Sequence, residues 1–103
     1  MENLFLNMAK GYWLSTGSII DGEGMQPYLK ALKEWLPSVY GEFFARDLAT
    51  IEKESTAGHL KVIIEFSSKE DAVTTYESEE YQKMISLRTP YSNLTLTIFE
   101  GVQ

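Results

Sequence analysis

The stretch from Val62 to Arg88 constrains the fold of this chain more than any other part of the sequence. It opens with Val62–Phe66, a short apolar run that contains one charged residue and is typical of a buried strand. Ser67, followed three residues later by Glu70, forms a capping box and predicts that a helix starts there. The apolar stripe of that helix consists of Ala72, Val73 and Tyr76.

The sequence predicts three more strands and two more helices. Ser78 can cap a second short helix, whose first turn is acidic and which ends at Thr89-Pro90. An earlier helix begins near Pro27, and Pro37 predicts a kink or a tight last turn. Strands are predicted at 11–18, from 42 onwards and at 94–100. The order β-α-β-β-α-β is the ferredoxin-like arrangement, an α+β fold with a four-stranded antiparallel sheet.

Composition sets limits on the class of protein. The chain has 103 residues, of which 44% are apolar and 23% charged, which fits one globular domain and argues against disorder. We expect this domain to span 10–103, after an N-terminal arm of residues 1–9. The net charge of −6 disfavours nucleic acid as a partner. No segment has the length of a signal peptide or a membrane span, so we expect a cytoplasmic protein that does not bind membranes.

The strands predict a sheet with two buried faces. Alternation places one wholly apolar set under the helices: Leu14, Leu60, Val62, Ile64, Phe66, Leu94, Leu96 and Ile98. The opposite set is mixed and includes Trp13, Ile63 and Phe99, while Phe43 and Phe44 supply one aromatic to each face. Helices cover only one face, and Trp13, Ile63 and Phe99 are too much apolar surface to leave in water. We therefore expect a homodimer with two sheets packed face to face.

Several motifs resemble the family called domain of unknown function 1330, within the dimeric α/β-barrel superfamily. The resemblance covers about residues 10–101 and is strongest from Val62 to Arg88. The matching residues are Tyr12-Trp13, Tyr28, Tyr40-Gly41, Phe44, Arg46, Val62–Phe66, Ser68, Glu70, Ala72, Tyr76, Ser78, Glu80-Tyr81-Gln82, Arg88 and Glu100-Gly101. The family's usual glycines are replaced at Glu42 and at Asp47-Leu48, and its usual proline is replaced by Glu79.

The resemblance implies a ferredoxin-like protomer that assembles as a dimeric α/β barrel. Relatives in the superfamily include cofactor-free monooxygenases, muconolactone isomerase-like enzymes and small-molecule binders. Fold alone does not choose among them, so whether this chain is an enzyme stays open.

Two charged residues on predicted strands are candidates for a site. Glu65 lies on the mixed face among apolar groups, where it could serve as a general base. Arg46 could hold a carboxylate or enolate with its planar guanidinium. The alternative is that Glu65 forms a salt bridge with Arg46 or Lys61 on a neighbouring strand.

Four further residues are candidates for ligand binding. Arg88 could anchor an anion, or it could interact with the carbonyl end of the preceding helix. Tyr12, Tyr76 and Tyr81 could turn hydroxyls towards a cavity, although tyrosines at such positions commonly belong to a core.

No motif for a cofactor or a metal is present. The chain has no cysteine and one histidine, His59, so we predict no metal site and keep His59 only as a remote acid or base. The sequence lacks a phosphate loop, a dinucleotide fingerprint and a serine nucleophile elbow, and we predict no cofactor. Two functions remain: a pocket in each protomer, lined by polar residues of the mixed face, for a small organic acid or carbonyl compound, or a structural dimerisation module without a ligand. An RNA-recognition motif has the same topology but is excluded by the acidic charge and the third strand.

Overall fold

Four antiparallel strands form one sheet, and three helices pack on one side of it. The computed structural model describes residues 9–103. The strands are β1 (Gly11–Ile19), β2 (Glu42–Asp47), β3 (Leu60–Phe66) and β4 (Ser92–Glu100), in the order β2-β3-β1-β4. The helices are α1 (Gln26–Trp35), α2 (Lys69–Tyr76) and α3 (Glu79–Ile85). The predicted α+β class and four-stranded antiparallel sheet are confirmed. The predicted arm lies outside the described residues, except for Ala9, which is buried.

The ends of α1 follow from its prolines. Pro27 lies in the first turn, where its missing N–H leaves no hydrogen bond unmade. Pro37 follows the helix, and the chain continues as a tight 3-10 turn over Leu36–Val39. Tyr28 and Leu32, four residues apart, form the buried face of α1 against the sheet.

The start of α2 differs from the prediction by one residue. The capping residue is Ser68, whose hydroxyl accepts the Asp71 N–H at 3.0 Å, so the predicted Ser67 cap is wrong. The sequence contains two overlapping capping patterns, Ser67 with Glu70 and Ser68 with Asp71, which are indistinguishable by spacing. For α3 the prediction holds, because the Ser78 hydroxyl accepts the Tyr81 N–H at 3.2 Å.

The helix face of the sheet, meaning the side under α1, α2 and α3, holds the core. The predicted faces of β3 and β4 are correct, with Ile64 and Phe66 buried under the helices. The predicted faces of β1 are wrong. Trp13 lies opposite Ile64 in β3 and is 1% exposed, so it belongs to the core, whereas Leu14 lies opposite Ile63 on the other side.

Two contacts explain the orientation of β1. The Trp13 indole N–H donates to the carbonyl oxygen of Ala72 in α2 at 2.8 Å, which satisfies a buried donor. A Cβ on Gly11, on the same face, would meet the Ser68 carbonyl oxygen at 2.2 Å, so α2 packs directly on this glycine. The odd-numbered positions of β1 therefore face the helices, and Trp13 fills the space beneath them.

We call the other side of the sheet the open face. It carries Tyr12, Leu14, Phe44, Ile63, Glu65, Thr97 and Phe99.

A β-bulge interrupts β2 at Phe44. Phe43 lies opposite Ile64, but Ala45 lies opposite Ile63, so β2 has one extra residue. Phe43 faces the helices and Phe44 contacts Tyr12 on the open face, which confirms one aromatic on each side. After the bulge, Arg46 lies opposite Val62 and shares its face, the helix face.

No helix within residues 9–103 is both long enough and apolar enough to cross a membrane.

Candidate functional site

A cavity lies between α1 and the helix face of the sheet. Its volume is about 70 Å³. Roughly 10–15 Å³ of such space holds one water, so a molecule of several non-hydrogen atoms fits. Most of the lining is apolar and comes from α1, the four strands and two residues that flank them, Met25 and Leu48: Trp13, Ile19, Met25, Leu29, Leu32, Phe43, Leu48, Leu60, Val62, Ile64 and Leu94.

The cavity exists because the floor of the sheet carries a small side chain there. Ser15 on β1 lies opposite Val62 and Leu96, at a position where alternation would admit a large residue. Its short side chain leaves space that α1 covers from above. The mainly apolar lining with few polar groups is the usual character of a small-molecule site.

Three polar side chains line the cavity: Ser15, Tyr28 and Arg46. Within the described part of the chain, Arg46 is the one charged residue in the lining, and no acidic residue contributes to it. The guanidinium of Arg46 offers planar, paired donors that match a carboxylate or an enolate. It is the sole predicted site residue that the structure places at this cavity.

Tyr28 connects the cavity wall to a buried polar cluster. Its hydroxyl forms a hydrogen bond of 2.9 Å with the hydroxyl of Tyr81, and either oxygen can donate. The guanidinium carbon of Arg88 lies 5.8 Å from the centre of the Tyr28 ring, a cation–π contact. Arg88 is 8% exposed, and neither it nor Tyr81 lines the cavity, so these two residues form a packed support behind Tyr28.

The cluster shifts two protonation equilibria. Burial, together with the hydrogen bond to Tyr81, raises the pKa of Tyr28 above its ordinary value, and the nearby Arg88 opposes this only partly. Burial alone would lower the pKa of Arg88, but its interactions with the hydroxyls of Tyr81 and Tyr28 outweigh burial, and the net direction is upward. At neutral pH, Tyr28 is therefore neutral and Arg88 is charged.

Tyr76 and Tyr81 pack in the core rather than around a ligand. The Tyr81 ring lies 4.7 Å from Trp13 and 5.4 Å from Tyr76, measured between ring centres. Tyr81 is fully buried, and Tyr76 also contacts Trp13 edge-on. Neither tyrosine lines the cavity.

The open face carries the remaining pair of candidates. The Tyr12 hydroxyl donates to the Glu65 carboxylate at 3.0 Å across β1 and β3. This hydrogen bond, with smaller contributions from burial and from the charge of Glu65, raises the pKa of Tyr12. Beside the pair, Tyr12, Phe44, Ile63 and Phe99 line a shallow apolar depression of about 120 Å³.

His59 has a structural contact. Its Nε2 accepts the Ile19 N–H at 3.4 Å, which ties the start of β3 to the end of β1. Within residues 9–103, no group of three or more histidine, cysteine or acidic side chains is placed to hold a metal ion.

The predicted site residues thus separate into three places. Arg46 lies at the cavity, Tyr76, Tyr81 and Arg88 lie in the core, and Tyr12 and Glu65 lie on the open face. The structure therefore does not bring the predicted site residues together at one place, and the cavity at Arg46 lies under the helices rather than on the open face. Sequence reasoning missed Ser15 and Tyr28 as cavity residues. Tyr28 was visible in the apolar stripe of α1, but nothing in the sequence marked Ser15 as the gap in the floor.

The chain belongs to the family described as domain of unknown function DUF1330, whose sequence profile matches residues 10–102. The resemblance noted in the sequence is thereby confirmed. None of the curated proteins compared with the chain matches it significantly.

Solved structures show the same fold at low sequence identity. A protein of unknown function from Rhodopseudomonas palustris is similar with a TM-score of 0.68 and 12% identity, over 93% of this chain and 85% of that one. A candidate antibiotic biosynthesis monooxygenase from Caulobacter crescentus has a TM-score of 0.65 and 8% identity, over 99% and 98%. A dimeric ferredoxin-like protein of unknown function from Thermobifida fusca has a TM-score of 0.61 and 8% identity, over 95% and 96%. At these identities the similarity establishes the fold alone.

Proposed function

We propose that this protein is a homodimer that binds a small organic acid or carbonyl compound in the cavity beneath α1, one cavity in each protomer. The observation that carries the proposal is the lining of the cavity, which is apolar apart from Ser15, Tyr28 and Arg46. Such a site encloses the carbon skeleton of a ligand and offers hydrogen-bond donors to one polar end.

The dimer is supported by the open face. Phe44 is 62% exposed and Phe99 is 37% exposed, and both rings contact Tyr12, so the exposed aromatics form one contiguous patch. Large exposed apolar patches mark association surfaces, and a two-fold pair is the commonest assembly. The relative from Thermobifida fusca is described as dimeric and ferredoxin-like. Two sheets facing each other would make a dimeric α/β barrel.

Binding is better supported than catalysis. Glu65, the candidate base, lies on the open face and is separated from the cavity by the sheet. Of the cavity residues, Tyr28 can ionise, but its raised pKa keeps it protonated at neutral pH, so it can donate a hydrogen bond but cannot act as a base. The monooxygenase-like relative shares the fold and not enough sequence to transfer an activity.

The test is a thermal-shift screen of small aromatic and aliphatic acids, ketones and aldehydes. A ligand at ten times its Kd stabilises the folded state by about 1.4 kcal/mol. For a domain of this size, this raises Tm by roughly 5–10 °C. We expect hits among compounds of a few carbon atoms, and quenching of Trp13 fluorescence on binding, because its indole lines the cavity.

A variant that fills the cavity locates the binding site. Val62→Phe adds bulk to the cavity floor and should abolish binding. Val39→Phe makes the same chemical change at a half-buried valine outside the cavity lining, so it should retain binding. Equal affinity in Val62→Phe and the wild type would show that the ligand binds elsewhere.

The alternative function is a structural dimer without a ligand. The exposed aromatic patch on the open face favours it, since an apolar patch of this kind can drive assembly without a ligand. Absence of any hit in a broad library, with a stable dimer in solution, would select this alternative.

A further inference from the structure

The bulge in β2 decides which side of the sheet Arg46 faces. In an unbroken strand, alternation from Phe43 on the helix face would place Ala45 on that face and Arg46 on the open face. The observed register places Ala45 opposite Ile63, on the open face, and Arg46 opposite Val62, on the helix face. The extra residue at Phe44 therefore moves the guanidinium from one side of the sheet to the other.

The surroundings of Arg46 on the helix face suit its guanidinium to bind an anion. Among residues 9–103, no acidic residue in the cavity lining could neutralise the guanidinium, and most of the lining is apolar. Arg46 is exposed and its charge is screened by solvent, so its planar, paired donors rather than a buried charge would hold a carboxylate. Bulges commonly lie next to functional sites, where they redirect a side chain.

We propose that the bulge at Phe44 holds Arg46 at the cavity as a specificity determinant that selects monoanionic acids over neutral compounds with the same carbon skeleton. This inference rests on the proposed function and narrows it from acids or carbonyl compounds to acids. The carboxylate of the ligand lies towards the β2 edge, at Arg46. Its apolar part extends under α1 towards Leu32 and Ile64.

The experiment compares matched acid and amide probes, butyrate with butyramide and isobutyrate with isobutyramide, by calorimetric titration of the full chain. Each pair has the same skeleton and differs in charge. We expect each acid to bind wild-type protein at least tenfold more tightly than its amide. In Arg46→Met, the affinity for the acids should fall about tenfold or more, while the affinity for the amides should not change.

Two further variants separate position from charge. The exchange Ala45→Arg with Arg46→Ala keeps the composition but moves the guanidinium to the open face, and it should lose acid preference as Arg46→Met does. Lys30→Met removes one positive charge from an exposed position of α1 outside the cavity lining, and it should bind like the wild type. Arg46 and Ala45 are themselves exposed, so these changes should leave the thermal stability nearly intact.

The outcomes distinguish this inference from the proposed function. Acids and amides that bind equally in wild type and Arg46→Met would overturn the acid preference and leave the cavity as a neutral binding site. Acid preference that survives the exchange of residues 45 and 46 would overturn the role of the bulge. If no probe and no compound of the wider screen binds, the proposed function itself fails, and this inference fails with it.

Discussion

Arg46 and Glu65 lie on opposite faces of the same sheet. Arg46 pairs with Val62 on the helix face, while Glu65 pairs with Tyr12 on the open face. The backbone of the sheet separates the two charges, so they cannot form the ion pair that neighbouring strands would otherwise permit. Arg46 therefore lines the cavity beneath α1, and the Glu65 carboxylate accepts a hydrogen bond from the Tyr12 hydroxyl.

The cap of α2 can be tested with two adjacent serines. Ser68→Ala removes the hydroxyl that accepts the Asp71 N–H and should lower the free energy of unfolding by about 1 kcal/mol. Ser67→Ala, one residue earlier and exposed, is the matched control and should change it by less than about 0.5 kcal/mol. Urea denaturation of both variants measures the difference. If Ser67→Ala lowered the free energy of unfolding more than Ser68→Ala, Ser67 and not Ser68 would be the cap of α2.

The position of Trp13 predicts a large effect on stability. Trp13→Ala removes a fully buried ring that packs on Phe66 and Tyr81, and it leaves the Ala72 carbonyl without its indole donor. We expect a loss of about 3–5 kcal/mol in the free energy of unfolding. Trp35, which is half-buried and stacks on Tyr81 from α1, provides the comparison, and Trp35→Ala should cost clearly less.

Chemical denaturation of the two tryptophan variants measures this difference. Equal losses in the free energy of unfolding of Trp13→Ala and Trp35→Ala would contradict the central position of Trp13 in the core.

The strands show why some faces were predictable from the sequence and others were not. In β4 apolar residues alternate strictly with threonines, and β3 has a lysine and a glutamate on one parity, so both faces are unambiguous. In β1 three large residues, Tyr12, Trp13 and Leu14, are consecutive, so alternation alone fits either orientation. The choice depends on Gly11 and Ala72, contacts with α2 that are distant in sequence.

The candidate site was less predictable than the fold, for a related reason. The charge of Arg46 was readable, but its side of the sheet depends on a bulge whose position no local pattern marks. The cavity depends on the absence of a large side chain at Ser15, and an absence has meaning only once α1 is placed above it. For Tyr81 and Arg88 the sequence left ligand binding and a structural role both open, and the structure places them together behind Tyr28.

The buried Tyr28 predicts a loss of stability at alkaline pH. Its pKa is raised in the folded protein, so above about pH 10 the unfolded chain loses this proton while the folded chain retains it. The contribution of Tyr28 to the free energy of unfolding is therefore fully present below about pH 10. Above that pH the free energy of unfolding declines by at most about 1.4 kcal/mol per pH unit.

Tyr28→Phe isolates this contribution. At neutral pH the variant should be less stable by about 1 kcal/mol, because the hydrogen bond to Tyr81 is lost. Above pH 10 its stability should fall less steeply than that of the wild type. Tyr40→Phe, at a tyrosine that is 82% exposed, should follow the wild-type curve. Denaturant midpoints between pH 7 and pH 11.5 measure the slopes, and parallel curves for Tyr28→Phe and the wild type would contradict the assignment.

The proposed dimer predicts that a charge in the middle of the open face prevents assembly. The sequence placed Trp13 in this interface, but Trp13 lies in the core, and Ile63 is the suitable probe because it lines the apolar depression with Tyr12, Phe44 and Phe99. Ile63→Asp would bury a carboxylate without a partner if two open faces pack together, which is costly. We expect a wild-type dimer at micromolar concentration and a predominantly monomeric Ile63→Asp.

A second isoleucine supplies the control for this experiment. Ile20 is 64% exposed, follows the end of β1 and does not line the depression, so Ile20→Asp makes the same chemical change away from the open face and should remain dimeric. Sedimentation velocity gives the masses, and far-ultraviolet circular dichroism shows that each variant is folded. A folded wild-type monomer at micromolar concentration, or an Ile63→Asp variant that dimerises as well as Ile20→Asp, would place the dimer interface elsewhere or remove it.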